Sequence, residues 1–262
     1  MSVTTVSGQL VHYEAFGRGK PVIFVHGWLG SWRYWWPTMQ ALASHHRSFA
    51  VDLWGFGDSS KKVGDYTIGS HVAMLDGFVN KMGIARPFTL VGHSLGAAIA
   101  LRYARTTSGY VDRIAAVAMP LSQDHVNGYL VGKEAERVID QSRNKFANFP
   151  EVVMGLGKAD LGALDQSTSQ LPDLALGDDL RQVDCPTLLI FGARDALIKY
   201  PAEELDAGDQ EPFDQHCILL EDCSHFPMLE QPAIFNRLIR EFIDRESPAG
   251  LEPKNYWQRR TR

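Results

Sequence analysis

Short apolar runs, interrupted only by Thr89, punctuate the chain: Val22–Val25, Phe49–Val51, Phe88–Val91, Ile114–Ala118, Leu188–Phe191 and Ile218–Leu220. A strand that is apolar on both faces is one covered by helices on both sides. Longer stretches with helical spacing lie between the runs. Pro37–Ser44 has proline in its first turn, and Ile68–Met82 puts Val72, Leu75, Phe78, Val79 and Met82 on one face. Leu95–Arg105 is small and apolar, and Pro232–Arg245 carries Phe235, Leu238, Ile239 and Phe242 at the same period. Thr4–Val6 and Leu10–Phe16 read as an edge hairpin turning at Ser7-Gly8. Alternation of this kind predicts an α/β fold, a mostly parallel sheet with helices on both faces.

The alternation breaks between Leu121 and Leu180. Val126–Phe146 has helical patterning, residues 155–179 scatter Gly and Asp, and no buried strand run appears. Residues 121–180 are therefore expected to be an insertion in a core built from 1–120 and 181–246. Residues 247–262 lose the hydrophobic period and end in a basic cluster, the pattern of a solvated tail.

Composition narrows the function classes. A chain of 262 residues buries about 73% of its unfolded surface, so its core needs no disulfide or structural metal. Lys and Arg number 26 against 31 Asp and Glu, a net charge of −5, which leaves no basic footprint for nucleic acid or an anionic membrane. No apolar run reaches the ~18 residues of a membrane helix, and the first twenty residues lack a signal-peptide pattern. Three cysteines, odd in number and without a C-x-x-C pair, fit reduced thiols in a cytoplasmic protein. No pattern speaks for a particular oligomeric state.

Gly92-His93-Ser94-Leu95-Gly96 matches a nucleophile elbow. Chance supplies G-x-S-x-G in roughly one sequence in eight of this composition, so context decides. Here the motif leaves the strand Phe88–Val91 and opens the helix at Leu95. A strand turning straight into a helix forces Ser94 into strained backbone, and glycines at 92 and 96 supply the room. The hydroxyl then stands at a helix N-terminus, where free N–H groups favour negative charge.

A serine needs a base, and the base an orienting acid. Of nine histidines, His225 lies in a loop after the strand ending at Leu220, on the sheet edge that also holds Ser94. His45 and His46 fall on the opposite edge, His12 and His216 lie within strands, and His93 is turned away by the elbow. Asp195 follows the strand Thr187–Phe191 through a glycine turn and is the expected acid, with Asp124 in reserve. Asp52 opens a glycine-punctuated loop and is expected to bind that loop's amides. His26-Gly27-Trp28 leaves the strand Val22–Val25, so the Trp28 N–H, paired with the Leu95 N–H, is the expected oxyanion hole. His26 has no second ligand at metal spacing and is expected to brace the loop.

Together these residues resemble the α/β-hydrolase superfamily across nearly the whole chain. The marks are Val25-His26-Gly27-Trp28, Asp52-Leu53-Trp54-Gly55-Phe56-Gly57-Asp58-Ser59, the elbow, Phe191-Gly192-Ala193-Arg194-Asp195 and Ser224-His225-Phe226, in that order. The resemblance implies an eight-stranded mostly parallel sheet, a helical cap at 121–180 roofing the site, and neither metal nor organic cofactor. Ser94 argues against haloalkane dehalogenases and epoxide hydrolases, which use aspartate at the elbow. The Gly-His-Ser-Leu-Gly form is commonest among esterases, thioesterases and lactonases. The implied activity is hydrolysis of a small, uncharged, mostly apolar carboxylic ester. Carbon–carbon bond hydrolases, cofactor-free perhydrolases or haloperoxidases, and receptor-like members with little turnover are the alternatives. Aromatics this dense first of all pack a core; Trp28, Trp54, Tyr129, Phe146, Phe149 and Phe226 are the candidates for an acyl pocket.

Overall fold

A computed structural model describes residues 2–28, 30–61, 63–128, 130, 134–206 and 214–253. Strand β1 (Ser2–Val6) and β2 (Gln9–Gly17) form the edge hairpin. Ser7 and Gly8 both take positive φ, 48° and 77°, as a two-residue turn between right-twisted strands requires. After them come β3 (Lys20–Val25), α1 (Trp36–Leu42), β4 (His46–Val51), α2 (Ile68–Met82), β5 (Phe88–His93), α3 (Leu95–Thr106) and β6 (Val111–Val117). Four helices follow, α4 (Ala135–Lys145), α5 (Pro150–Leu156), α6 (Leu161–Ser169) and α7 (Leu176–Arg181). The chain then returns through β7 (Thr187–Gly192), α8 (Ala202–Asp206), β8 (Gln215–Leu220), α9 (Pro227–Glu230) and α10 (Pro232–Asp244).

The eight strands lie in the order β1-β2-β4-β3-β5-β6-β7-β8. The pairs β1/β2 and β2/β4 are antiparallel, and every pair from β4 to β8 is parallel. Alternation along the strands separates the two helical layers. Ile23 pairs with Phe49, whose ring meets Phe78 of α2 at 6.4 Å. Phe24, one residue on, meets Trp35 at 5.2 Å, and Trp35 meets Phe235 of α10 at 6.3 Å. Successive side chains on a strand point to opposite faces, so α2 and α10 cover opposite sides. All residues of β5 and β7 are buried, which is why their runs carry no polar alternation.

Two expectations need amending. The helical pattern starting at Val126 becomes a helix only at Ala135. Val126 instead bridges to Ile198, and the Asn127 N–H donates to the Leu197 carbonyl, so these backbone groups are already committed elsewhere. The stretch after Pro248 is not solvated throughout. Leu251 is buried, its carbonyl accepts from His216 Nε2 at 2.8 Å, and Arg237 Nη2 donates to the Glu252 carbonyl at 3.0 Å. Residues 254–262 of that stretch lie outside the described residues.

Candidate active site

Parallel strands deliver their carboxyl ends to one edge of the sheet, and the chemistry-bearing residues collect there. Ser94 sits between β5 and α3 at φ 53°, ψ −117°, a backbone conformation that side chains rarely adopt. The neighbours make it affordable by lacking bulk. A Cβ on Gly92 would come within 2.4 Å of the Gly96 carbonyl oxygen, and one on Gly96 within 2.2 Å of the Val25 carbonyl oxygen. The Ser94 amide is tied to the Val117 carbonyl at 2.8 Å, while its carbonyl accepts from the Ala97 and Ala98 amides.

His225, after β8, places Nδ1 2.8 Å from Asp195 Oδ2. Asp195, after β7, uses its other oxygen to accept from the Leu197 and Ile198 amides at 2.7 and 3.1 Å. Burial pushes the Asp195 carboxyl up, but the His225 ring and those amides outweigh it and hold it below the usual carboxylate range. The acid is thus ionised and accepts only, which fixes the His225 proton on Nδ1 and leaves Nε2 as the basic atom. Ser94 Oγ is not hydrogen-bonded to that ring in the structure; such bonds are often long until substrate arrives. Gly192 makes the approach of the two loops possible, since a Cβ there would lie 2.1 Å from the Ser224 carbonyl oxygen. Asp124, the reserve acid, is exposed on a single turn of 3-10 helix.

The Trp28 and Leu95 amides donate to nothing among the described residues. The direction of the first is set by its own peptide plane. His26 Nδ1 donates to the Gly27 carbonyl at 2.8 Å, and the Gly30 amide donates to the same oxygen at 3.1 Å. In a trans peptide the C=O and the following N–H point opposite ways, so pinning the Gly27 carbonyl turns the Trp28 N–H away from His26. His26 Nε2 in turn accepts from the Leu53 amide at 3.0 Å, and burial pushes its pKa down, so the ring is neutral and structural. Gly27 lies against Ser94: a Cβ there would sit 2.9 Å from Ser94 Cβ.

A pocket of about 360 Å³, including its open mouth, begins at Ser94. The core side contributes Trp28, Leu95 and Ala98, and the insertion contributes Val126, Leu171 and Leu174. Ser167 and Gln170 are its polar side chains apart from Ser94, and none of the lining is charged. Of the aromatic candidates, Trp28 lines this pocket. Trp54 is buried in the core, and Phe146 and Phe149 pack on Phe226, with ring centroids 5.0 and 6.2 Å apart, behind the His225 loop. Tyr129 lies outside the described residues. The aliphatic lining from the insertion had no periodic signal that could have marked it in the sequence.

Among the described residues, His12, Asp52 and Asp58 bring potential metal-ligand atoms within 4.8 Å of one another. The carboxylate oxygens of the two aspartates are already engaged. Asp52 accepts from the Trp32 and Asp58 amides and pairs with His12 Nδ1, while Asp58 pairs with Arg33 and Lys158. A Cβ on Gly57 would strike the Asp52 carboxylate at 2.2 Å, so this aspartate is the post around which the loop is wound.

An eight-stranded sheet of this order, with a serine on a strained strand-to-helix turn, defines the α/β-hydrolase architecture. Residues 22–238 match the model of the alpha/beta hydrolase family, and the chain belongs to that family. A full-length relative is the pimeloyl-(acyl-carrier protein) methyl ester esterase of Aeromonas salmonicida, 26% identical over 260 residues, 89% of this chain and 99% of that one. Among solved structures, the esterase from Exiguobacterium antarcticum is similar with a TM-score of 0.81 at 17% identity, over 93% of this chain and 99% of that one. The enol-lactonase from Burkholderia xenovorans is similar with a TM-score of 0.78 at 18% identity, over 93% and 100%. No helix among the described residues is long and apolar enough to cross a membrane.

Proposed function

We propose that the protein is a serine hydrolase that cleaves small, uncharged, mostly apolar carboxylic esters through an acyl-enzyme on Ser94. The observation that carries this reading is the 2.8 Å Asp195–His225 pair on the same sheet edge as a strained, pocket-facing serine. His225 Nε2 takes the Ser94 proton as Oγ attacks the acyl carbon. The carbonyl π pair moves to oxygen, which the Trp28 and Leu95 amides receive; one such donor is typically worth about 3 kcal/mol in the transition state. Collapse of the tetrahedral species expels the alcohol, protonated by His225. Water then repeats the sequence on the acyl-enzyme, and Asp195 keeps the ring oriented throughout.

The uncharged lining supports a neutral acyl group, because no cation is present there to meet an anionic one. The Aeromonas relative's name contains a methyl ester, a bond of the same class. Residues 121–180 act as the cap: Ser167, Gln170, Leu171 and Leu174 close the pocket from that side. The three cysteines are free thiols, in keeping with a reducing, cytoplasmic setting.

The test is labelling with a fluorophosphonate, read by peptide mass, beside turnover of p-nitrophenyl esters of increasing acyl length, a lactone, a thioester and a vinylogous diketone. Adduct on Ser94 and ester turnover abolished by Ser94→Ala are expected. Unlabelled wild-type protein, or a Ser94→Ala variant with intact turnover, refutes the mechanism. Turnover of the diketone without the esters would move the reaction to carbon–carbon cleavage.

A further inference from the structure

Behind the proposed catalytic residues runs a buried chain of hydrogen bonds that the chemistry above does not use. The Gly27 N–H donates to Tyr34 Oη at 2.7 Å, Tyr34 Oη lies 3.1 Å from His93 Nδ1, and His93 Nε2 lies 2.8 Å from the His225 carbonyl oxygen. Tyr34, His93 and His225 are all at most 3% exposed. The direction of every proton in it follows from elimination. A carbonyl only accepts, so His93 Nε2 carries a hydrogen; a neutral ring has one, so Nδ1 offers its lone pair; Tyr34 therefore donates to His93 and accepts from Gly27.

We infer that Tyr34 and His93 are positioning residues, a tether that holds the loop of the oxyanion amides in register with the loop of the base. One end fixes Gly27, whose carbonyl is pinned by His26 and whose peptide carries the Trp28 N–H. The other end fixes the backbone of the residue whose ring must reach Ser94. Both loops leave different strands, β3 and β8, that are not neighbours in the sheet, so no ladder hydrogen bond sets their separation. The tether does so with one phenol and one imidazole. Local packing was shaped around it: a Cβ on Gly30 would lie 2.1 Å from Tyr34 Cε1, and the Tyr34 and His93 rings meet edge to face at 5.5 Å.

His93 also stacks near His225, centroids 4.5 Å apart, yet it does not compete for the catalytic proton. Burial first, and then the neighbouring His225 charge, hold its pKa well below the usual histidine value. The imidazole beside the nucleophile thus stays neutral through the cycle, and the hydrogen-bond direction does not reverse.

This inference rests on the esterase reading, and the experiment separates the two. Steady-state kinetics on p-nitrophenyl butyrate and fluorophosphonate inactivation rates are measured for wild type, Tyr34→Phe, His93→Leu, His93→Gln and the double variant Tyr34→Phe/His93→Leu. Circular dichroism checks that each is folded. Loss of register acts on the transition state, so Tyr34→Phe and His93→Leu should each lower kcat by about 10- to 100-fold, with KM within about threefold. His93→Gln offers an acceptor and a donor on one amide carbon, the relationship of the two ring nitrogens, and should recover most of kcat. The double variant should be no worse than the poorer single one, because either change cuts the same chain.

A Tyr34→Phe kcat within about twofold of wild type, or additive losses in the double variant, overturns the tether while leaving the hydrolase standing. If His93→Leu does not fold, Tyr34→Phe against His93→Gln decides the matter. A wild type that neither turns over ester nor takes the phosphonate removes the hydrolase reading, and the tether's catalytic role with it.

Discussion

Replacing Asp195 with asparagine changes one atom type and leaves volume alone, and the structure dictates how the new amide must lie. Oδ1 of Asp195 accepts from the Leu197 and Ile198 amides at 2.7 and 3.1 Å. An asparagine that turned its NH₂ toward those two donors would lose both bonds and set hydrogens against hydrogens. Its carbonyl oxygen therefore stays with the amides, and its NH₂ replaces Oδ2, 2.8 Å from His225 Nδ1. Facing a donor, Nδ1 has to accept, so the neutral ring moves its proton to Nε2. The nitrogen that should take the Ser94 proton is then already protonated. The elbow, the Trp28 and Leu95 amides and the pocket are untouched, so substrate still binds and KM should change little. The expected loss is in kcat, about 10⁴-fold, or about 5.5 kcal/mol at about 1.4 kcal/mol per decade. Stability should hardly move, because every backbone bond to the side chain persists; a melting temperature within about 3 °C of wild type is expected. The assay is p-nitrophenyl ester turnover at neutral pH beside thermal unfolding. Turnover within tenfold of wild type, in a folded variant, would show that the acid lies elsewhere, and exposed Asp124 would have to be tested next.

His71 of α2 is buried with neither ring nitrogen hydrogen-bonded among the described residues, and burial above all pushes its pKa down to about 3. The unfolded chain takes that proton near pH 6.5 and the native state does not, so the stability it leaves intact above pH 6.5 is lost as pH falls toward 3. His71→Leu should gain about 2 kcal/mol on wild type between about pH 7 and pH 5, read from urea midpoints; parallel curves would refute it. Ala98→Leu adds three carbons to the pocket wall and displaces an equal length of acyl chain. At about 0.8 kcal/mol per methylene, the kcat/KM ratio of octanoyl to acetyl ester should fall roughly 50-fold, and an unchanged ratio would place the acyl chain elsewhere.

What the sequence showed and what it hid follow from how each feature is encoded. Strands sheathed on both faces advertise themselves as continuous apolar runs, so β3 to β8 could be located from hydropathy alone. A parallel sheet then sends every strand end to one edge, which is how Ser94, Asp195 and His225 could be placed on a shared edge as candidates. The 2.8 Å between Asp195 and His225 closes a separation of thirty residues that the pattern could state only as a shared edge. The glycines at 27, 92, 96 and 192 were visible as turn residues. Their meaning as clearances of 2.1 to 2.9 Å to backbone and to Ser94 exists only once distant segments are folded together.

The pocket was a different matter, for a physical reason. Large aromatics draw attention in a sequence as candidate binding surface, but a ring of that size is worth most when it is wholly removed from water. Phe146 and Phe226 pack on each other and tie the insertion to the His225 loop, with 3% and 0% of their surface exposed. The wall of the pocket beside Ser94 is built largely from smaller residues, Ala98, Val126, Leu171 and Leu174 among them, drawn from segments far apart in the chain. Such a wall has no period, because its members share a cavity and not an element. Tyr34 was hidden in the same way: one of five aromatics from Trp28 to Trp36, it is distinguished only by a hydroxyl that meets His93 fifty-nine residues later. Chemistry carried on strand ends can be read from order along the chain. Selectivity and positioning, carried by side chains that converge from unrelated segments, are properties of the folded state.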